Sequence, residues 1–305
     1  MEGKLQPTWF SMVFVRLSGV GTGYNARQEV YWDGKFKFKN LPPGAYSLSV
    51  VVPRMGEFRQ TYSVGPSTSD KNGKVKVTMV LNPGKAIRTF TARERFTVPA
   101  SRLAISEKAW KEYQDAQKSL AKEDRAGAEA RLEKAIELAP TFAAAWNTLG
   151  VMAYQDKKWD LAEERFRQAE RLDPLLIEPV INLGGVLLQT GKIDEALKYN
   201  QKAVERRPGD PVGQIQLGLT YLQLKRLDLA IRHLQETKRI DPGHYSYPQL
   251  VLCDIYLKQG NRIAAASELE SFLRYHPDYE MADSLRSAIR KLRGVSEPHR
   301  PSTGK

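Results

Sequence analysis

Prolines recur at a nearly fixed interval along the C-terminal two-thirds of the chain. Pro140, Pro174, Pro208 and Pro242 are separated by three intervals of 34 residues, and Pro277 follows after 35. Because a proline cannot sit in a helix interior without breaking it, each one marks the end of a helix. A period of this length is typical of helical hairpins that stack into a solenoid. The spacing predicts about five such hairpins.

Small side chains recur at two fixed points of every repeat, one in each predicted helix. The positions in the first helices are Ala116, Gly150, Gly184, Gly218 and Cys253. The positions in the second helices are Ala128, Ala162, Ala196, Ala230 and Ala265. Small residues let two helix axes approach each other, because helix separation depends on the side chains at the contact. The pattern therefore predicts tightly packed antiparallel helix pairs.

The N-terminal part of the chain has a period of two instead. Val13, Val15 and Leu17 alternate with polar or outward residues, and Tyr46 and Leu48 do the same further on. Successive side chains of a strand point to opposite faces, so each set predicts one buried face. Asp33–Gly34 and Asn72–Gly73 are dipeptides typical of type I′ hairpin turns. We therefore expect a small antiparallel β-sandwich.

The helical part resembles the tetratricopeptide repeat family, most closely in its second repeat. The residues at the signature spacings are Trp146, Leu149, Gly150, Ala162, Phe166, Ala169 and Pro174. The resemblance covers roughly residues 107–277. It implies an α-solenoid whose first helices line a concave surface. Residues 278–293 carry apolar side chains at helical spacing and are predicted to form a capping helix.

The N-terminal part resembles the carboxypeptidase regulatory-like domain, a transthyretin-like sandwich. The resemblance rests on the segment 33–38, DGKFKF, and the segment 41–48, LPPGAYSL. Such domains occur mostly on exported or envelope proteins. No signal-peptide pattern is present in this sequence, but the resemblance implies a bacterial periplasmic or envelope location if the start is truncated.

The predicted fold class is multidomain, a β domain followed by an all-α domain. We expect a sandwich over residues 1–82, a linker over 83–106, a solenoid of about five hairpins plus a capping helix over 107–293, and a disordered tail over 294–305. No apolar run reaches the roughly 18 residues that a membrane-spanning helix needs.

The concave surface of the solenoid is the predicted binding site for a segment of another protein. Carried over from the resembled family, the lining residues are Trp110, Tyr113, Gln117, Asn147, Val151, Tyr154, Ile181, Asn182, Gln189, Ile215, Gln216, Gln223, Tyr247, Leu250 and Lys258. Amide side chains both donate and accept hydrogen bonds, so they suit the backbone of an extended peptide. We expect a neutral polypeptide partner.

An alternative function follows from the charge distribution. The net charge is +12, and residues 1–100 hold 15 Lys and Arg against 6 Asp and Glu. The strand lysines predicted to share a solvent face are Lys35, Lys37, Lys39, Lys74 and Lys76. This face either stays solvated or binds an anionic carbohydrate or envelope polymer. Few aromatic residues interleave with these lysines, which argues against nucleic acid.

Candidate catalytic residues are few. His233 and Glu236 match the spacing of a zinc pair, but they fall inside a predicted helix with no third ligand nearby. Cys253 occupies a small-residue position and is expected to be a buried, inert thiol. We therefore expect no cofactor, no metal and no enzymatic activity. The leading hypothesis is a protein-interaction scaffold.

Overall fold

Within the described residues, seven β-strands in two sheets form the N-terminal domain. The computed structural model describes residues 1–6, 12–20, 24–31, 33–52, 56–81 and 105–294. The strands are β1 (Glu2–Gln6), β2 (Met12–Val20), β3 (Asn25–Tyr31), β4 (Lys35–Lys37), β5 (Gly44–Val52), β6 (Gly56–Val64) and β7 (Lys76–Val80). One sheet has the order β4-β1-β7 and the other β3-β2-β5-β6. The core lies between the two sheets, where the side chains of Val15, Leu17, Tyr46 and Leu48 are fully buried.

Strand β1 and the two glycine turns differ from the sequence prediction. β1, which the alternation did not predict, runs antiparallel to β4 but parallel to β7. Only the glycines of the two turns, Gly34 and Gly73, have positive φ, at 69° each. A type I′ turn needs positive φ at both central residues. The hairpin prediction was wrong because β3 and β4, on either side of Asp33–Gly34, belong to different sheets.

Eleven helices follow within residues 105–294. They are α1 (Glu107–Ala121), α2 (Arg125–Leu138), α3 (Ala143–Gln155), α4 (Trp159–Leu172), α5 (Glu178–Gln189), α6 (Ile193–Arg206), α7 (Pro211–Gln223), α8 (Leu227–Ile240), α9 (Pro248–Lys258), α10 (Arg262–Tyr275) and α11 (Ala282–Arg293). The odd-numbered helices α1 to α9 are the first helices of five hairpins, and α11 is the capping helix. The solenoid architecture predicted from the repeat is confirmed. The predicted linker, apart from residues 105 and 106, and the predicted tail, apart from Gly294, lie outside the described residues.

The small-residue positions are contacts between paired helices. All five alanines of the second-helix set are fully buried. A Cβ placed on Gly150 would lie 2.5 Å from the ring of Phe166, and one on Gly218 would lie 3.2 Å from Leu234. Because glycine has no Cβ, the apolar residue of the second helix can fill the space between the two helix axes at these points.

The caps of the second helices only partly follow the sequence signals. Asp160, Asp194 and Asp228 are of a residue type that is common at N-caps, but the N-caps of α4, α6 and α8 are basic residues two positions earlier, without a side-chain cap bond. The aspartates lie in the first turn, where a carboxylate is favoured by the helix dipole. Ser106 does cap α1, since its hydroxyl accepts from the backbone N–H of Ala109.

The sandwich is docked on the turns between successive hairpins. The backbone N–H and hydroxyl of Thr61, in β6, both donate to the carboxylate of Asp241 at 2.9 and 2.5 Å. The guanidinium of Arg59 lies 3.8 Å from the carboxylate of Asp210. Ser67, in a short 3₁₀ turn after β6, donates its backbone N–H to Asp278 at 3.0 Å. Two consecutive inter-hairpin turns and the turn before the capping helix therefore each present one aspartate to the same side of the sandwich.

Candidate partner-binding groove

A cavity of about 290 Å³ lies on the inner surface of the solenoid. Its wall is built by first helices α3, α5 and α7, which contact one another along the stack. Val151, Ile215 and Leu219 supply apolar surface, and Asn182 and Gln216 supply amides. We call this cavity, together with the adjoining faces of α3, α5 and α7, the groove. It combines an apolar wall with hydrogen-bonding groups, the usual composition of a ligand site.

The amides of the groove are held in place by neighbouring residues. Nδ2 of Asn182 donates to Oδ1 of Asn147 at 2.9 Å, which joins α5 to α3. Gly185 makes room for Gln216, because a Cβ at this glycine would lie 2.7 Å from the Gln216 side-chain nitrogen. Oε1 of Gln216 is buried and has no hydrogen-bond partner among the residues that the structure describes. Burying an acceptor without a partner costs about 1–3 kcal/mol, so this oxygen is an unmet binding group.

One side of the groove is formed by the turn between α8 and α9. This turn spans residues 241–247, and its residues His244, Tyr245 and Ser246 line the cavity opposite Tyr154. Tyr245 is not among the lining residues predicted from the sequence. The available signal was the interval of 35 residues between Pro242 and Pro277, one longer than the others. The extra length lies in the turn that reaches the groove.

Three predicted lining residues, all in the first hairpin, lie apart from the cavity. Trp110 and Tyr113 pack on the buried ring of Phe142, with centroid distances of 5.0 and 4.9 Å. Trp110 remains 47% exposed. Gln117 lines a different space, between α1 and the sandwich. Gln189, at the end of α5, is exposed and lines the cavity.

The predicted residues of the last hairpins lie elsewhere. Gln223 is exposed at the end of α7, and Lys258 is exposed and paired with Asp254 at 2.6 Å. Leu250 packs in the cluster between α9 and the capping helix. Tyr247 adopts a left-handed backbone conformation, with φ of 53°, and packs edge-on against Phe272. Neither Leu250 nor Tyr247 is among the residues that line the cavity.

Ile181 and Ile215 are more buried than a binding surface requires. Ile181 is 6% exposed and packs with Val180 and Ala203 in the core beneath α5 and α6. Ile181 therefore contributes to this core and not, as predicted, to the groove surface, because its side chain points from α5 toward the neighbouring helices. Ile215 is 3% exposed but borders the cavity, so it acts as its floor.

The predicted basic face surrounds a carboxylate. Glu2, in the central strand β1, lies opposite Lys37 of β4 and Lys76 of β7. It pairs with Lys37 at 2.5 Å and with Lys74 at 3.7 Å, and Lys37 lowers the pKa of Glu2. Lys35 and Lys39 are exposed nearby. A negative charge among these lysines weakens the field that an anionic polymer would meet.

The residues considered for catalysis are in packed positions. Nδ1 of His233 lies 2.8 Å from Oε1 of Gln214, and burial lowers the pKa of this histidine. Glu236 is paired with Arg239. Cys253 is buried, and its burial raises the pKa of the thiol. Within the described ranges, no three His, Cys, Asp or Glu side chains come together in a cluster that could hold a metal.

Comparisons with known proteins bear on the helical part. Family models described as tetratricopeptide repeat match residues 113–176 and 187–249. The chain is 33% identical over 99 residues to the BBSome complex member BBS4 of Bos taurus, over 32% of this chain and 19% of that protein. It is 23% identical over 154 residues to N-alpha-acetyltransferase 16, NatA auxiliary subunit, of Homo sapiens, over 49% of this chain and 17% of that protein. The chain thus spans less than a fifth of either relative.

Solved structures share the architecture. PilW, a type IV pilus biogenesis factor, superposes with a TM-score of 0.56 at 21% identity, covering 63% of this chain and 89% of PilW. MamA from Desulfovibrio magneticus RS-1 gives 0.51 at 19%, covering 58% of this chain and 99% of the MamA fragment. These similarities show the fold. The helical part of the chain is an α-solenoid of the kind that presents a concave binding surface. More particularly, it is a solenoid of tetratricopeptide repeats, which are modules of protein–protein interaction. Among the described residues, no helix is both long and apolar enough to cross a bilayer.

Proposed function

We propose that this protein is a non-catalytic scaffold whose groove binds an extended segment of a partner polypeptide. The observation that carries the proposal is Oε1 of Gln216, a buried acceptor that has no partner in the described part of the chain and belongs to a cavity with apolar walls. Rotation of the Gln216 amide would turn this oxygen toward a backbone N–H of a bound segment, and an apolar side chain would cover Val151 and Leu219. An extended segment suits this chemistry because its backbone groups, unlike those of a helix, are free to bond.

The names of the relatives agree with this proposal. The bovine protein is described as a complex member and the human protein as an auxiliary subunit. Both descriptions place a tetratricopeptide-like segment in an assembly of several chains. We extend only this general role to the present chain, because the matched segments are short fractions of those proteins.

The proposal is tested by selecting peptides on the full chain. Random twelve-residue peptides displayed on phage would be selected against the immobilised protein, and the best would be measured by calorimetry. We expect micromolar binding, about −8 kcal/mol. The double variant Asn182→Ala/Gln216→Ala should weaken that binding by about tenfold, the equivalent of roughly 1.4 kcal/mol for the lost hydrogen bonds.

A matched control removes polar side chains from the second helices. Lys198 of α6 and Gln235 of α8 are both exposed and lie outside the cavity lining. The double variant Lys198→Ala/Gln235→Ala should bind the same peptides with unchanged affinity. Failure to select any peptide, or equal affinity for the groove variant and this control, would overturn the proposal.

A further inference from the structure

One face of the four-stranded sheet is directed at the solenoid. The register aligns Asn25, Ser18, Ser47 and Thr61 in a single row across β3, β2, β5 and β6. Residues aligned in this way point to the same face of a sheet. Thr61, at one end of the row, is bonded to Asp241 in the turn before the fifth hairpin. The whole row therefore lies on the side of the sandwich that faces the helices.

The other end of the row borders a cleft between the two domains. Ser18 and Asn25 line a space of about 700 Å³ whose opposite wall is Gln117 of α1 and Thr148 and Gln155 of α3. Tyr24, next to Asn25, also lines this space. The volume is within the range of about 300–1,000 Å³ typical of ligand-binding clefts. We call this space the interdomain cleft.

The interdomain cleft and the groove are neighbours along one helix. Val151 of α3 lines both spaces. On α3, Tyr154 faces the groove and Gln155 faces the cleft, so the two spaces adjoin without an intervening helix. A chain segment lying in the groove and running toward the first hairpin would pass under the sandwich.

The contact between the two domains is buried and closely packed. Asp241 is fully buried, and Thr61 is 6% exposed. The backbones meet directly, because a Cβ on Gly243 would lie 2.9 Å from the carbonyl oxygen of Thr61. A second close approach occurs at Gly65, where a Cβ would lie 2.6 Å from a carboxylate oxygen of Asp278. The sandwich therefore forms a fixed second wall opposite the first two hairpins.

We infer that the interdomain cleft is a binding site to which both domains contribute, and that its ligand is the continuation of the extended polypeptide segment held in the groove. This inference rests on the proposed function of the groove. The sandwich contributes Ser18, Tyr24 and Asn25, and the solenoid contributes Gln117, Thr148 and Gln155. The sandwich is then part of the recognition surface.

The side chains of the cleft indicate the chemistry of the segment. Apart from apolar surface on α1 and α3, the lining consists mainly of hydroxyl and amide groups, which match free backbone N–H and C=O groups. Its arginine, Arg125, is already bonded to Asp156 at 2.6 Å and to Gln155 at 2.8 Å. The other charged side chain of the described lining is the exposed carboxylate of Glu123. The site thus offers no free positive charge in its described lining, and an uncharged extended stretch fits it better than an anionic one.

The test uses full-length variants and the peptides selected on the wild-type chain. Asn25→Trp places a large ring in the cleft from the sandwich side, at an exposed position of edge strand β3. Lys76→Trp, on the other sheet, is the matched control. We expect at least a tenfold loss of peptide affinity for Asn25→Trp and no loss for Lys76→Trp. A photoreactive benzophenone side chain at position 25 should also crosslink to the bound peptide.

The outcomes separate the two proposals. If Asn182→Ala/Gln216→Ala weakens binding while Asn25→Trp behaves like Lys76→Trp and gives no crosslink, the groove is retained and the cleft site is overturned. If only Asn25→Trp weakens binding, the groove proposal and the continuity between the two spaces are both overturned. If no peptide binds but a neutral oligosaccharide such as chitotetraose does, and Asn25→Trp abolishes that binding, the polypeptide assignment is overturned. A loss of affinity in both variants supports both proposals.

Discussion

Thr61 and Asp241, which are 180 residues apart in the sequence, join the two domains through a pair of hydrogen bonds to one buried carboxylate. Burial raises the pKa of Asp241, while the two bonds from Thr61 act in the opposite direction. The carboxylate thus depends on Thr61, together with the backbone N–H of Gly243, for its solvation. This pair makes the sandwich and the solenoid parts of one structure.

The first prediction concerns this pair. Thr61→Val keeps the shape of the side chain but removes the hydroxyl donor, which leaves one carboxylate oxygen of Asp241 poorly solvated. We expect a loss of about 1–3 kcal/mol in the free energy of unfolding. Thr61→Ser retains the hydroxyl and should lose clearly less. Urea unfolding followed by tryptophan fluorescence measures both, and equal stability of Thr61→Val and wild type would show that the hydroxyl bond contributes nothing.

The second prediction separates the two roles of Asp210. Its Oδ1 caps α7 by accepting from the backbone N–H groups of Val212 and Gly213, and its Oδ2 faces Arg59. Asp210→Ser keeps a capping oxygen and loses the ion pair, whereas Asp210→Ala loses both. Losing a cap costs about 1 kcal/mol, so we expect Asp210→Ala to be less stable than Asp210→Ser by about that amount.

Denaturant unfolding of the two Asp210 variants gives the difference directly. Identical unfolding free energies for the serine and alanine variants would contradict the assignment of a capping role. Asp210→Ser itself should also be less stable than wild type, because Arg59 is half-buried and keeps, among the described residues, only Glu57 as a carboxylate partner. A serine variant as stable as wild type would mean that the Arg59 contact is not stabilising.

The third prediction compares two helical glycines. Gly150→Ala brings a methyl group to within 2.5 Å of the Phe166 ring, and such overpacking typically costs about 1–3 kcal/mol. At Gly213 the nearest atom to an added Cβ is 3.7 Å away. There, replacing glycine by alanine should stabilise the helix by up to about 1 kcal/mol. The midpoint temperature of thermal unfolding should therefore fall for Gly150→Ala and rise for Gly213→Ala. A higher midpoint for Gly150→Ala would contradict the packing role of the small-residue positions.

The fourth prediction is a loss of stability in mild acid. Burial lowers the pKa of His244 to about 3 and that of His276 to about 4. In the unfolded chain both side chains take up protons near pH 6.5, so between pH 6.5 and about 4 the unfolded state binds more protons than the folded state. The stabilisation is therefore present at pH 7 and decreases as the pH falls.

At pH 5 the expected cost is about 2 kcal/mol per histidine relative to pH 7. The double variant His244→Asn/His276→Phe removes both groups, and the phenyl ring preserves the packing of His276 on Phe272. Unfolding free energies of the variant and of wild type should be compared at pH 7 and pH 5. The variant should lose less stability across this interval. The same loss in both proteins would contradict this assignment.

The sequence contained enough information to predict the helical architecture. Prolines at a period of 34 and small residues at two points per repeat are local, periodic signals, and they determine both the helix ends and the close pairing of helices. The alternation of Val13, Val15 and Leu17 likewise identified a buried strand face. These signals are readable because each one reflects the geometry of a single element and its neighbour.

The arrangement of the two domains could not be predicted in this way. Asp241 precedes a proline at a helix end, so in sequence it looks like an ordinary turn residue, and nothing near it points to Thr61. The parallel pairing of β1 with β7 is also a long-range contact. For the groove, the sequence indicated which types of residue line it but not which of them are exposed. Ile181 lies on a predicted lining helix, yet its side chain packs into the core.

Hydrogen–deuterium exchange of the full chain, with and without a saturating selected peptide, tests the binding site most directly. We expect slowed exchange in α3, α5 and α7 and at the β2–β3 end of the sandwich, with unchanged exchange in second helices α4, α6 and α8 and in β4 and β7. Slowed exchange confined to the second helices or to the lysine-bearing sheet would contradict the proposed binding site.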